Sequence, residues 1–218
     1  FIQEKNESIL IMFKIISILF VAYILGAIPF SLWLGKLFYK TDVRNSGSKS
    51  SGATNVLRVI GPKLAFPILI LDILKGFVAT RLVLVFFVEG DPQFIYLKLA
   101  AGVLAMIGHI YPVFAQFKGG KGIATMAGVL LGTVPEVMIY AFPIFVIIVS
   151  VTRYVSLGSL LGALSIPVLL FFFSSIPDNK ILAVFAFVVF LIALFTHRAN
   201  VKRLISKTES KINFRQKK

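Results

Sequence analysis

IATMAGVLLGTVPEVMIYAFPIFVIIVSVT, residues 123–152, carries a single charge, Glu136, and its reading decides how this chain folds. At roughly 1.5 Å of rise per residue it is more than long enough for one bilayer crossing. If it crossed once, the two apolar runs that follow, 155–173 and 181–196, would leave the carboxyl-terminal tail outside. That tail holds eight Lys and Arg residues after His197, and such flanks stay on the cytoplasmic side. A breaker, Gly132-Thr133-Val134-Pro135-Glu136, also falls in the middle of the run. Both facts are met by two short helices that dip into the membrane and return, bringing Arg153 back to the cytoplasmic side.

The rest of the topology follows outward from that pair. Residues 15–35 have no charge and suffice for a span kinked at Pro29. Residues 36–63 form a Gly/Ser-rich loop with six basic residues and one acidic, so this loop is expected in the cytoplasm and the amino terminus outside. Residues 64–88 lead outward to the acidic turn Glu89-Gly90-Asp91-Pro92, and 99–117 lead back. Residues 155–173 and 181–196 complete the set, with Pro177-Asp178-Asn179 as an outer turn. The expected fold is an all-α integral membrane protein of seven helices, about five of them spanning. Residues 12–205 read as one polytopic domain and 206–218 as a basic cytoplasmic tail. Residues 1–11 read as an upstream extension, because Met12 is a candidate start.

Composition supports this reading and narrows the chemistry. With 58% hydrophobic residues and 15% charged, the chain is no ordinary soluble domain. The net charge of +14 sits in loops beside apolar runs, which favours lipid head groups and phosphorylated substrates over nucleic acid. Cysteine is absent and there are only two histidines, so thiolate chemistry is excluded and neither a metal nor another cofactor is expected. Four polar segments, 44–58, 118–122, 153–159 and 197 onward, are expected to meet at the cytoplasmic face.

Within them, Lys118-Gly119-Gly120-Lys121-Gly122 stands between two apolar helices. Glycines let successive backbone N–H groups converge, and the next helix adds the positive end of its dipole, which makes a phosphate cradle. It is no Walker A loop, which would need Gly at Ala115 and Ser or Thr at Gly122, and it also reads as a plain basic interfacial turn. In the first loop, Ser48, Thr54 and Asn55 surround glycines and Arg58 offers a bidentate phosphate ligand. Asp72 and Lys75, three apart on a helix, can pair. His109 lies at matching depth, about 12 Å from the cytoplasmic end of its span, and is expected to hydrogen-bond Asp72 and brace the floor of the site. His197 and Asn200 share a helical face, and Arg153, Ser156 and Ser159 follow the dipping pair.

Five stretches resemble the bacterial acyl-phosphate:glycerol-3-phosphate acyltransferase family. They are Gly47-Ser48 with Gly52-Ala53-Thr54-Asn55-Val56-Leu57-Arg58, Leu71-Asp72-Ile73-Leu74-Lys75-Gly76, residues 108–125, Thr152-Arg153-Tyr154-Val155-Ser156-Leu157, and His197-Arg198 with Asn200 and Glu209. The resemblance implies transfer of a fatty acyl group from acyl phosphate to the 1-hydroxyl of sn-glycerol 3-phosphate, the first committed step of phospholipid biosynthesis. It implies that Ser48 and Arg58 are required, that the glycine loop binds acyl phosphate, that His197 and Asn200 contribute and that Glu209 is more structural. A role in charge neutralisation is expected for Lys118 and Lys121. The partners expected are the two phosphorylated substrates, membrane lipid and the enzyme that makes acyl phosphate, with the chain itself a monomer in the bacterial cytoplasmic membrane. Two departures stand out: Lys49-Ser50 replaces the family's usual Gly-Asn, and Lys207 stands where Gly is frequent. The base for the glycerol hydroxyl is open between His197 and a substrate phosphate oxygen. The rival function is a small transporter for an organic phosphate, which should carry polar positions toward both faces. A CDP-alcohol phosphotransferase would need a cluster of metal-binding Asp residues that the sequence lacks.

Overall fold

The structure is a computed structural model describing residues 2–173, 176 and 178–212. Pro177 of the expected outer turn and residues 213–218 of the tail lie outside the described residues. Among the described residues ten α-helices form, against the seven expected: α1 (Ile2–Ala27), α2 (Phe30–Tyr39), α3 (Ala53–Val59), α4 (Pro62–Arg81), α5 (Phe94–Ile110), α6 (Ile123–Thr133), α7 (Pro135–Thr152), α8 (Val155–Phe172), α9 (Asn179–Thr196) and α10 (Arg198–Ile205). Three of them, α2, α3 and α10, are short pieces in what reads locally as a kinked span end, a flexible loop and a tail. No strand occurs among the described residues.

Prolines explain several boundaries. Pro29 does more than kink the first span, because α1 ends at Ala27 and α2 begins afresh at Phe30. Pro112 stops α5 well before residue 117, leaving a 3₁₀ turn at Val113–Ala115. Pro135 opens α7 at the expected breaker. The second half of that pair is not short: α7 has 18 residues and is long and apolar enough to cross. By length and composition five segments among the described residues can span, namely Gln3–Tyr39, Phe94–Ala115, Pro135–Thr152, Val155–Phe172 and Asn179–Thr196. The set differs from the expected one: α7 enters it, and α4, with Lys63, Asp72, Lys75 and Arg81, drops out.

The chain divides into two compact units, Phe1–Thr133 and Val134–Lys218. In the first, α4 packs on α6 and α1 on α5. Both contacts are backbone-close. A Cβ at Gly76 would meet the Thr125 carbonyl, one at Gly128 the Ile73 carbonyl, and one at Gly108 the Tyr23 carbonyl. Lipid tails are as apolar as side chains, so helices in a bilayer gain their association from such close van der Waals approach. In the second unit α8 lies between α7 and α9, and Gly158 approaches the Phe145 carbonyl of α7.

Candidate functional site

In residues 1–133 the first loop is organised by Asn55, only 1% exposed. Its amide group donates to the carbonyls of Val43 (2.8 Å), Ser50 (2.9 Å) and Ser46 (3.1 Å), and its carbonyl oxygen accepts the Ser48 N–H at 2.8 Å. The side chain expected on a phosphate is thus committed to the loop's own backbone. It fixes the turn from which Ser48 projects. Thr54 and Arg58 sit partly buried at the two ends of α3, which is anchored by Val56 against Val43, Leu64 and Ile68. Lys49 has φ +58°, a left-handed conformation that glycine, usual at this position in the resembled family, adopts more readily than lysine.

A clamp that the sequence reading missed joins this loop to the glycine loop. Arg44 grips Asp42 with two N–H groups at 3.0 and 2.7 Å and donates a third to the Ala115 carbonyl at 3.1 Å. The hydrogen bond from Arg44, with its charge and that of Lys36, holds the Asp42 carboxyl at about 2 although burial opposes it. The signal available was Asp42 itself, the one acid among six bases in residues 36–63.

The glycine loop departs from the expected cradle. Gly119 N–H donates to the Ile110 carbonyl (3.2 Å) and Gly120 N–H to the His109 carbonyl (3.1 Å), so these amides cap α5 instead of converging on a ligand. The glycines are there for contact: a Cβ on Gly119 would strike the His109 and Ile110 carbonyls, and one on Gly120 the His109 ring. Among the three, Gly122 has the positive φ, +85°. The anion-binding capacity lies one step later. Amides of residues 123–125 precede the first bond of α6, Met126 N–H to the Gly122 carbonyl at 2.7 Å. Thr125 Oγ1, fully buried there, has no hydrogen-bond partner among the described residues. Lys121 is partly buried beside that terminus, whereas Lys118 is exposed.

Beneath the loop lie Asp72, Lys75 and His109, at 2%, 5% and 7% exposure. Asp72 Oδ1 takes Lys75 Nζ at 2.8 Å and lies 3.5 Å from His109 Nδ1. The expected Asp72–His109 hydrogen bond is not made among the described residues; the His109 ring faces the carboxylate, and Lys75 is the bonded partner.

In residues 134–218 the hub is Glu209, 6% exposed. Its Oε1 accepts Asn200 Nδ2 (2.8 Å) and the Ser156 hydroxyl (3.1 Å), and its Oε2 accepts Arg203 Nε at 2.7 Å. Burial pushes this carboxyl up, but the hydrogen bonds from Asn200 and Arg203, the Arg203 charge and Ser156 together hold it below its ordinary value. Arg203 had not been singled out from the sequence. Ser159 is buried one turn beyond Ser156, and the exposed Arg153 ends α7 at φ +63° with its carbonyl bound by Ile212 N–H. Lys207 is left-handed as well, at φ +57°. His197, 3% exposed at the α9–α10 junction, places Nδ1 2.8 Å from the Ala193 carbonyl. A carbonyl only accepts, so Nδ1 carries the proton and Nε2 is the basic nitrogen.

These arrangements belong to a chain with clear relatives. The family model for glycerol-3-phosphate acyltransferase matches residues 16–207. The chain is 41% identical to the glycerol-3-phosphate acyltransferase of Bacillus cytotoxicus, over 94% of this chain and 99% of that protein. With the enzyme of the same name from Enterococcus faecalis it shares 42% identity, covering 92% and 93%. Among solved structures it is similar to PlsY (YgiH), an integral membrane glycerol 3-phosphate acyltransferase. The glycerol 3-phosphate form aligns with TM-score 0.82 and 34% identity over 91% of this chain and 96% of that one. A lysophosphatidic acid form aligns at 0.79 and 33%. With five segments apolar enough to span, buried charge between its helices and relatives matched over nearly their whole length, the chain is an integral membrane enzyme of the glycerol-3-phosphate acyltransferase family.

Proposed function

We propose that this enzyme takes its acyl group from acyl phosphate and delivers it to the 1-hydroxyl of sn-glycerol 3-phosphate. The hydroxyl oxygen attacks the acyl carbon, the carbon–oxygen bond to phosphate breaks, and phosphate leaves with the electron pair. Lysophosphatidic acid and inorganic phosphate are the products. The observation that carries this reading is the pair of forms in which the solved relative is known, one with glycerol 3-phosphate and one with lysophosphatidic acid, which differ by one acyl group.

The residues divide by chemistry. In residues 1–133, Arg58, Lys121 and the amino end of α6 neutralise phosphate, with Ser48 and Thr54 as hydroxyl ligands and Lys118 as an outer cation. Asn55 and the Gly119–Gly120 turn act by shaping the backbone, as their internal hydrogen bonds favour. In residues 134–218, Glu209 holds Asn200 and Ser156 in place, and the Nδ1 bond to Ala193 aims His197 Nε2 as a base. The proton from glycerol goes either to that nitrogen or to a phosphate oxygen. His197→Gln separates the two: loss of the acidic limb of the pH–rate profile assigns the base to His197, and an unchanged profile assigns it to phosphate. The enzyme is read as a monomer of the bacterial cytoplasmic membrane, amino terminus outside and carboxyl terminus in the cytoplasm, using acyl phosphate made by a separate enzyme. Its active site faces the cytosol.

The test of the reaction uses purified protein with palmitoyl phosphate and sn-glycerol 3-phosphate, following phosphate and lysophosphatidic acid together. Equimolar products are expected, and Arg58→Ala should lower turnover by at least ~100-fold while remaining folded. Phosphate without lysophosphatidic acid would reduce the activity to hydrolysis.

A further inference from the structure

The α1–α2 break, inside the Gln3–Tyr39 segment that is apolar enough to span, takes a backbone carbonyl out of the helical ladder. Leu32 and Trp33 N–H both turn to the Pro29 carbonyl, so the Ile28 carbonyl has no role in α2. Irregular backbone within a membrane segment persists only when protein groups or a water-filled cavity satisfy it. Lys75 Nζ, reaching from α4, donates to that carbonyl at 3.1 Å. The same ammonium is held by Asp72 at 2.8 Å and lies 5.8 Å from the centre of the Phe30 ring, the first residue of α2. Asp72 in turn faces His109, whose ring is the surface on which Gly120 rests. A small polar pocket lined by Ser31, Ser51, Asp72, Lys75 and His109 runs along this line.

We propose that Lys75 is a positioning residue for acyl transfer. It pins the α1–α2 break through the Ile28 carbonyl and, through Asp72 and His109, ties that break to the seat of the glycine loop. One buried cation thereby sets the direction in which α2 delivers the first loop, with Ser48 and Arg58, and the floor under the loop that leads to Lys121. The inference rests on the reaction proposed above. It gives a reason for a charge pair inside a membrane unit that makes no direct use of it in chemistry: the lysine and the bare carbonyl are each costly alone and satisfy each other.

The test compares wild type with the double variant Asp72→Asn/Lys75→Met, which removes both charges together and so avoids a buried unpaired ion. The chain has no cysteine, so exposed Leu37 on α2 and Tyr96 on α5 can be changed to Cys and spin-labelled without background. Wild type should give one narrow label-to-label distance. The double variant should broaden or shift it and lose roughly 10- to 100-fold in kcat, with KM for glycerol 3-phosphate changed far less. Lys75→Arg, which keeps donors for both oxygens, should restore much of the loss. Pro29→Ala, which leaves both charges in place and lets the helix run through, should shift the distance the same way and decides the matter if the double variant does not fold. Unchanged distances in a folded variant overturn the proposal, whatever its kcat, as does wild-type turnover with a shifted distance. Absence of acyl transfer by wild type would instead overturn the reaction and not the clamp, which the distances still read.

Discussion

Each unit of the chain buries one carboxylate among the described residues, and the two are held in opposite ways. Asp72, 2% exposed, is held inside a helix bundle by Lys75 and faced by His109, both themselves buried. Glu209, 6% exposed, lies beyond the last span and is held by an amide, a hydroxyl and Arg203, whose side chain keeps 39% of its surface in solvent. The first is a closed buried pair, in which removing either charge strands the other. The second is a hydrogen-bonded strap whose cation can return to water. Burial alone therefore does not rank the two carboxylates; what is left behind on removing each one does.

That difference can be broken most forcefully at Asp72. Asp72→Ala strands the Lys75 ammonium at 5% exposure, and a loss of about 3–5 kcal/mol is expected, seen as little folded protein in detergent and early thermal unfolding. If Asp72→Ala were as stable as wild type, the closed unit would not exist. Glu209→Gln should cost less, about 1–3 kcal/mol, because Arg203 rehydrates and only Ser156 and Asn200 lose an ionic acceptor. Activity should fall further than stability if Asn200 is used in the reaction, which assays on folded protein at low temperature will separate.

The pH dependence sharpens the same contrast. Glu209 is held below its ordinary value of 4.5, so its stabilisation is complete above that pH and disappears as pH falls through the lowered folded value. The melting-temperature gap between wild type and Glu209→Gln should close over that window. Asp42 behaves alike, contributing fully above 3.8 and losing its contribution toward about 2, so Asp42→Asn should converge on wild type only at still more acid pH.

The smallest expected effects concern Lys49 and Lys207, two of the three left-handed lysines among the described residues, one taken from each unit. Lys49 at φ +58° and Lys207 at φ +57° carry Cβ atoms in a conformation that costs an L residue about 1–2 kcal/mol, partly offset by the entropy glycine loses on folding. Lys49→Gly and Lys207→Gly should each stabilise by roughly 0.5–1 kcal/mol in thermal unfolding. Equal gains would mean that both turns are strained alike, and a gain at one alone would show where a lysine side-chain contact offsets the strain.

Much of the fold was legible from local pattern. Apolar length marked four of the five segments able to span, with α4 expected in place of α7. Pro29 and Pro135 marked two interruptions, because proline removes an N–H and restricts the residue before it. The stop at Pro112 was not foreseen, and Pro67, Pro143 and Pro167 stand inside helices. The pairing of Asp72 with Lys75 was legible too, three residues apart on one helix. The basic loops that hold Ser48, Arg58 and Lys121 were also visible, since charge beside apolar runs is a property of the sequence itself. What only the tertiary structure decided were partners brought from far along the chain. Lys75 reaches the Ile28 carbonyl, 47 residues away, Arg44 the Ala115 carbonyl, 71 away, and Ser156 Glu209, 53 away. The glycine loop departs from the expected cradle for a more local reason. Three glycines permit an anion nest and a close approach equally well, and only the packed fold sets the carbonyls of Ile110 and His109 against the amides of Gly119 and Gly120.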